Sequence, residues 1–279
     1  MKKNLVVTIL TLSITIFSYS QETNKFDNPN VNFKSIEKDF IQWWTYHNEN
    51  IILSSNFIAI DNSSNIISKE VFLQNLTSGD FIPLKLDSEN KATYYKLYRL
   101  DQTADKNIRN TIKQTSSISY EHFKMEGKNF PEFNFKDLNE IEYTTQNTKN
   151  KIIILKTWFI ACKACVAEMP ELNELTKKYN DRKDTVFISL ALDSDEDLNQ
   201  FLLKKQFNYA VVSKQKDFIN NKLNANIYPT HIVIDKNGVI KKVINKASEL
   251  ILYLENENIM NADLMKKIPP PPPPPASPM

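Results

Sequence analysis

"KTWFIACKACVAEMP", residues 156–170, contains both cysteines of a 279-residue chain. Cys162 and Cys165 are two residues apart, a spacing shared by structural disulfides, halves of zinc sites and catalytic dithiols. Zinc needs four ligands, and with no second cysteine pair and with His47, His122 and His231 scattered, the chain offers no such set. Bridging so short a loop constrains the unfolded chain little, which argues against a purely structural disulfide. A catalytic dithiol needs a thiolate at neutral pH. "KIIILKTWF" reads as a central strand buried on both faces, and the residues after Cys162 read as a helix through Tyr179, with Met169, Leu172 and Leu175 at helical spacing. Cys162 falls at that strand-to-helix junction, where free N–H groups, the helix dipole and Lys163 favour negative charge and lower its pKa. Cys165 lies one turn further in. Glu168, three residues beyond, can face it as a proton acceptor.

Outward from this stretch, "TVFISLAL", "YAVVS", "IYPTHIVID" and "VIKKVI" read as strands alternating with helices. The last two form a hairpin at Asn237-Gly238, and a final helix spans about Ser248 to Glu257. "GKNFPEFNFKDLNE" reads as an extended lead-in because Pro131 disfavours helix at Phe130. The resulting order, β-α-β-α-β-α-β-β-α, predicts an α/β layer sandwich over residues 127–258.

Residues 33–102 predict a small α/β domain: a helix at "DFIQWWTYH", a strand "NFIAID", a helix "SKEVFLQNLTSG", and strands "FIPLKL" and "TYYKLYRL". Ser68 is the expected N-cap of the second helix, with Val71, Phe72 and Leu76 on one face and Gly79 as its stop. No catalytic constellation is visible there. Residues 103–126 predict a connecting helix with Ile108, Ile112, Thr115 and Phe123 on one side, ending at Gly127.

At the N-terminus, Lys2 and Lys3 precede an apolar run from Leu5 to Phe17, and Ser18 and Ser20 supply small residues before Gln21. Residues 1–20 are therefore expected to be a cleavable signal peptide, followed by a polar leader at 21–32. The apolar run is short against the roughly 20 residues that span a bilayer, which makes an uncleaved anchor the lesser reading. No cysteine follows it, so lipid attachment there is not expected. At the other end, the proline-rich tail 259–279 carries an unbroken run from Pro269 to Pro275, a polyproline II rod of about 20 Å at 3.1 Å per residue. It reads as a stiff spacer or as a ligand for a partner's aromatic groove.

With 35 Lys and Arg against 33 Asp and Glu, the near-balanced charge gives no footprint for nucleic acid. Three glycines leave no glycine-rich loop to cradle a phosphate, so neither nucleotide chemistry nor a cofactor is expected.

The segment from about 127 to 258 resembles the thioredoxin superfamily, and most of all the TlpA/ResA-like branch of exported thiol:disulfide oxidoreductases (the redoxin family). Its pattern W-x-x-x-C-x-x-C-x-x-E-x-P is met by Trp158, Cys162, Cys165, Glu168 and Pro170, with "IYPTHIVID" and the Asn237-Gly238 hairpin in register. The resemblance implies a thioredoxin-like three-layer α/β/α sandwich in the C-terminal half. It also implies a Cys162–Cys165 redox disulfide, with Cys162 attacking, Cys165 resolving and Glu168 handling the buried proton. Tyr228-Pro229 would be the cis-proline loop beside the dithiol, and Trp158, Ala161, Lys163, Tyr228 and Pro229 would meet the substrate. Three positions depart from the pattern. Ala161 stands where tryptophan is common, Lys163-Ala164 replaces a proline-containing pair, and Lys156 stands where thioredoxins carry a buried aspartate. A charged lysine is no general base, so proton handling is expected to rest on Glu168 or water, with His231 a packed strand residue.

The function implied is a periplasmic disulfide reductase of exported proteins, re-reduced by a membrane thiol donor. Two alternatives stand beside it. One is a thiol peroxidase of peroxiredoxin type, against which Phe159 occupies the place of that family's threonine. The other is a non-enzymatic exported binding or scaffold protein with a vestigial dithiol.

Overall fold

The computed structural model describes residues 29, 31–88 and 92–267, with side chains of the last helix described through residue 257. The expected signal peptide, nearly all of the polar leader and the proline run lie outside the described residues.

The first unit comprises helices α1 (Phe33–Ile36), α2 (Phe40–Asn50), α3 (Lys69–Leu76) and α4 (Lys106–Met125). Its strands are β1 (Ile58–Ile60), β2 (Ile66–Ile67), β3 (Phe81–Leu86) and β4 (Tyr94–Arg99), in the sheet order β2-β1-β4-β3. Pro83 cannot donate to a ladder on both sides, and β3 is accordingly an edge strand. Ser68 caps α3 by accepting from the Val71 N–H at 3.2 Å. On that helix Phe72, Leu73 and Leu76 are buried while Val71 is exposed, a correction to the face expected from spacing. Gly79 (φ +79°) ends the turn after α3 in a left-handed conformation open to glycine. Helix α4 carries Ile108 and Ile112 into the core formed with Trp43, Phe72, Leu84 and Leu97.

The second unit opens with a hairpin of β5 (Asn134–Lys136) and β6 (Glu142–Thr144), where the sequence suggested only extended chain. A five-stranded sheet follows: β7 (Ile152–Trp158), β8 (Thr185–Ala191), β9 (Ala210–Val212), β10 (Thr230–Ile234) and β11 (Ile240–Ile244), ordered β11-β10-β7-β8-β9. β7, β8 and β9 run parallel, and β10 and β11 antiparallel to their neighbours. Central strand β7 is buried on both faces. Ile154 faces α6 (Met169–Lys178) and α8 (Ala247–Lys267) through Leu172, Leu175, Leu250 and Leu254. Ile153 and Leu155 face the hairpin and a π-helical segment, Phe218–Leu223, through Phe135, Phe218 and Ile219. This is the expected α/β/α sandwich.

Two boundaries differ from the sequence reading. The helix after the cysteines is two: α5 (Lys163–Ala167) and α6, with Glu168 closing the first and opening the second. Pro170 lacks an N–H and its ring clashes with the preceding turn, so the helix breaks before it. Helix α8 runs on to Lys267, past the expected end at Glu257. Between α7 (Asp195–Leu202), capped by Ser194, and Trp158, Leu198 fills the space beneath the dithiol. The two units are joined by hydrogen bonds from the Gly127 N–H to Ile240 O (2.8 Å) and from the Ile240 N–H to Lys128 O (2.9 Å). A buried Lys242–Glu126 pair at 3.2 Å adds to that seam.

Candidate active site

The end of β7 delivers the chain into a tight loop whose Ile160 N–H donates to Asp193 Oδ2 at 2.8 Å, fixing the residues just before the dithiol. Cys162 then caps α5: its extended backbone (φ −76°, ψ 95°) turns the sulfur toward the Cys165 N–H, which approaches Sγ at 3.2 Å. Cys162 and Cys165 form a disulfide. The two sulfurs are unequal in access, Cys162 being 9% exposed and Cys165 fully buried. Ala161 and Lys163 are exposed on either side of Cys162.

The Tyr228–Pro229 peptide bond is cis. Tyr228 packs on the cluster containing both cysteines, and its ring meets Phe159 edge-on at 5.3 Å. Asn245 Nδ2 donates to Pro229 O at 2.7 Å and to Thr230 Oγ1 at 3.2 Å, anchoring the loop to the segment after β11. Trp158 needs correction as a substrate contact. It has no exposed surface and lies beneath the dithiol against Phe201 and Phe207, so it shapes the floor of the site.

Glu168 stands in a network that spacing alone does not reveal. Lys156 and His231 face each other across the β7–β10 ladder, on the sheet face shared with Ile154 and Val233. Glu168 Oε2 receives Lys156 Nζ at 2.8 Å and His231 Nε2 at 3.1 Å, while Oε1 accepts the Ala247 N–H at 3.0 Å. Because an ionised carboxylate only accepts, His231 must donate from Nε2, which leaves Nδ1 as a buried lone pair without a partner. Burial pushes the Glu168 carboxyl up, but the hydrogen bond from His231 and the charge of Lys156 outweigh it and hold the group below the ordinary carboxylate value. Burial pushes His231 down, opposed by its hydrogen bond to Glu168, so the ring is neutral. Burial likewise lowers Lys156, and the Glu168 charge beside it works the other way.

His231 is therefore a packed strand residue, as expected, but also a hydrogen-bond partner of the site carboxylate. The network is absent from the sequence reading, although Lys156 carries the signal for it: a lysine alternating in phase with Ile154 and Trp158 on a central strand has to find an anion. Among the described residues no group of three or more His, Cys, Asp or Glu side chains is placed to hold a metal. None of the described helices is long and apolar enough to cross a membrane.

Residues 127–243 match the AhpC/TSA family. The chain is 30% identical over 120 residues to the thioredoxin-like protein YneN of Bacillus subtilis, covering 42% of this chain and 70% of that protein. It is 32% identical over 121 residues to the thiol-disulfide oxidoreductase ResA of Geobacillus kaustophilus, covering 42% and 68%. Among solved structures, the thioredoxin domain of a thiol-disulfide oxidoreductase from Bacteroides vulgatus superposes with a TM-score of 0.43 at 21% identity, over 47% of this chain and 96% of that one.

Proposed function

The chain belongs to the family of thioredoxin-like thiol-disulfide oxidoreductases that includes ResA, and from that membership we propose that it is an exported disulfide reductase working through Cys162 and Cys165. The observation that carries the reading is the unequal disulfide: one sulfur reachable at a helix start, the other sealed beneath it. In the reduced protein the Cys162 thiolate, stabilised by the Cys165 N–H, attacks a client disulfide and expels one client thiolate. A mixed disulfide results. The Cys165 thiolate then attacks Cys162 Sγ, expels the second client thiolate, and leaves the protein disulfide; two electrons have passed to the client.

Cys165 must lose a proton for the second step, and Glu168 is proposed to accept it. Three of its roughly four lone-pair directions are occupied, which leaves one on Oε1. Its lowered pKa makes it a relay to water rather than a resting place for the proton. Lys156 and His231 position that carboxylate. Ala161, Lys163, Tyr228 and Pro229 form the substrate-facing rim, with the cis-proline backbone pairing the client chain.

Lys2, Lys3 and the apolar run to Phe17 support export, which sets the dithiol in an oxidising compartment and calls for a membrane thiol donor to re-reduce it. The test is trapping: Cys165→Ser in cells should accumulate mixed disulfides with exported proteins while Cys162→Ser accumulates none. Equal behaviour of the two variants would sink the assignment. The match to the AhpC/TSA family favours one second reading, a thiol peroxidase. Phe159 in place of a threonine speaks against it, and fast turnover of hydrogen peroxide by the purified protein is the result that would promote it.

A further inference from the structure

A cavity of about 250 Å³ lies between the two units, away from the sulfurs but against the cis-proline loop. Helices α2 and α4 contribute Trp44, His47, Ser119 and His122, and the second unit contributes Ile227 and Asn245. Ile227 immediately precedes Tyr228, and its carbonyl accepts from Thr230 Oγ1 at 2.6 Å. Asn245, which holds Pro229 O, is thus both a wall of the cavity and the anchor of the loop. Phe159 and Tyr228 pack together beside the dithiol, and Ile227, the next residue back along the chain, lines the cavity together with Trp44. Ile227 and Trp44 are 41% and 38% exposed, large apolar surfaces left facing water.

The chemistry of the walls favours an uncharged guest. Two pairs of charged groups around the cavity are matched within the protein, Glu126 with Lys242 (3.2 Å) and Glu249 with Lys246 (3.7 Å), while Lys69 donates to Ser55 O (2.6 Å) and is pushed down to about 7 by burial and the Lys242 charge. His47 and His122 are buried, and no described residue hydrogen-bonds to either imidazole. Burial, with Lys246 adding to it at His47, pushes both rings down to about 4, so each is neutral and carries one N–H and one lone pair, with His47 Nδ1 enclosed. The volume falls below the roughly 300–1,000 Å³ of ordinary small-molecule sites and suits one large side chain.

We propose that this cavity receives an aromatic or branched aliphatic side chain of an extended client polypeptide whose disulfide is engaged by Cys162, so that the N-terminal unit selects clients by the residue flanking their cysteine. The inference rests on the disulfide-reductase reading and adds a substrate class to it.

The test uses the full mature chain, reduced, with two synthetic peptides that each carry one intramolecular disulfide and differ only in Phe or Asp at positions flanking it. The dithiol is oxidised as each peptide disulfide becomes two thiols. The Phe peptide should show at least a fivefold lower KM. Ser119→Phe, which fills the cavity, and Trp44→Ala should erase that preference while oxidised glutathione is still reduced at the parent's rate. Independently of the variants, a cysteine-free Phe peptide should shift the imidazole NMR signals of His47 and His122 in the oxidised protein.

Equal KM values for the two peptides in the parent would overturn the proposal, as would a preference that survives both variants. So would displacement of the Phe peptide by a peptide of residues 268–279, which would give the cavity to the chain's own proline tail. Failure to reduce either peptide or glutathione would instead overturn the reductase reading beneath it.

Discussion

Lys156 and Glu168 meet as a buried ion pair at 2.8 Å, with the lysine side chain wholly enclosed and the carboxylate 13% exposed. The position on the central strand that the family resemblance marks for an acid holds a base here, and the acid comes instead from the break between α5 and α6. The pair has the same composition as a strand acid and a helix base would give, with its polarity reversed.

Removing one partner strands the other. Lys156→Met should cost about 3–5 kcal/mol, because it leaves the Glu168 carboxylate in a nearly closed site. Lys156→Met combined with Glu168→Leu should recover most of that loss, since a buried ion pair replaced by well-packed apolar groups is often close to neutral. Urea unfolding of the single and double variants measures both, and a double variant as weak as the single would show the pair to be net stabilising.

If Glu168 relays the Cys165 proton, Glu168→Gln should slow disulfide reduction by roughly 10²-fold and change the pH profile of the resolving step, as expected for loss of general-base assistance. Glu171→Gln, an exposed neighbour on α6, serves as the control and should leave the rate unchanged. A normal pH profile in Glu168→Gln would reduce the carboxylate to a positioning role.

His47 and His122 give the protein a specific acid sensitivity. Both are pushed down to about 4 by burial, against 6.5 for a free imidazole. Between those values the unfolded chain binds more protons than the native one, so stability rises with pH across this window and is lost as pH falls from about 6.5 to 4. Glu168 works in the same sense at lower pH: with its folded pKa depressed, its contribution is present above the ordinary carboxylate value and disappears on acidification through the folded one. Thermal melts from pH 7 to 4 should show a steep decline, and His122→Gln should flatten it. A parent Tm independent of pH over that range would refute the burial argument.

Gly79→Ala should destabilise the first unit by about 1–3 kcal/mol, since a side chain is strained at φ +79° and its Cβ would lie 2.8 Å from Arg109 O. Gly238 has a similar φ but open space around it, so Gly238→Ala should cost less. Denaturation midpoints of the two variants make the comparison.

The strand-and-helix pattern of the second unit was legible because its signals are local. The apolar run at 152–158, the period of Leu172 and Leu175, and the Asn237-Gly238 turn each report their own backbone. The same holds for Ser68 capping α3. The local signals failed where a neighbour overruled them. Met169, Leu172 and Leu175 all belong to α6, and the single helix that the spacing suggested from Cys162 onward is broken at Glu168, just before Pro170. Strand β6 is invisible in "EIEYTT" until Phe135 pairs with Tyr143. Val71 lost its place in the core to Leu73, because packing against α4 sets which side of a short helix is covered.

By itself the amino-acid sequence determined the layer order, the dithiol at a strand-to-helix junction and the carboxylate three residues beyond it, since each depends on spacings within a few turns of chain. Only the tertiary structure decided what that carboxylate touches and what the first unit presents to the cis-proline loop. Lys156 and His231 lie 12 and 63 residues from Glu168 and reach it through ladder register and helix placement. The cavity walls come from segments more than a hundred residues apart. Contacts at such separations depend on how whole elements settle against one another, which residue periodicity does not encode.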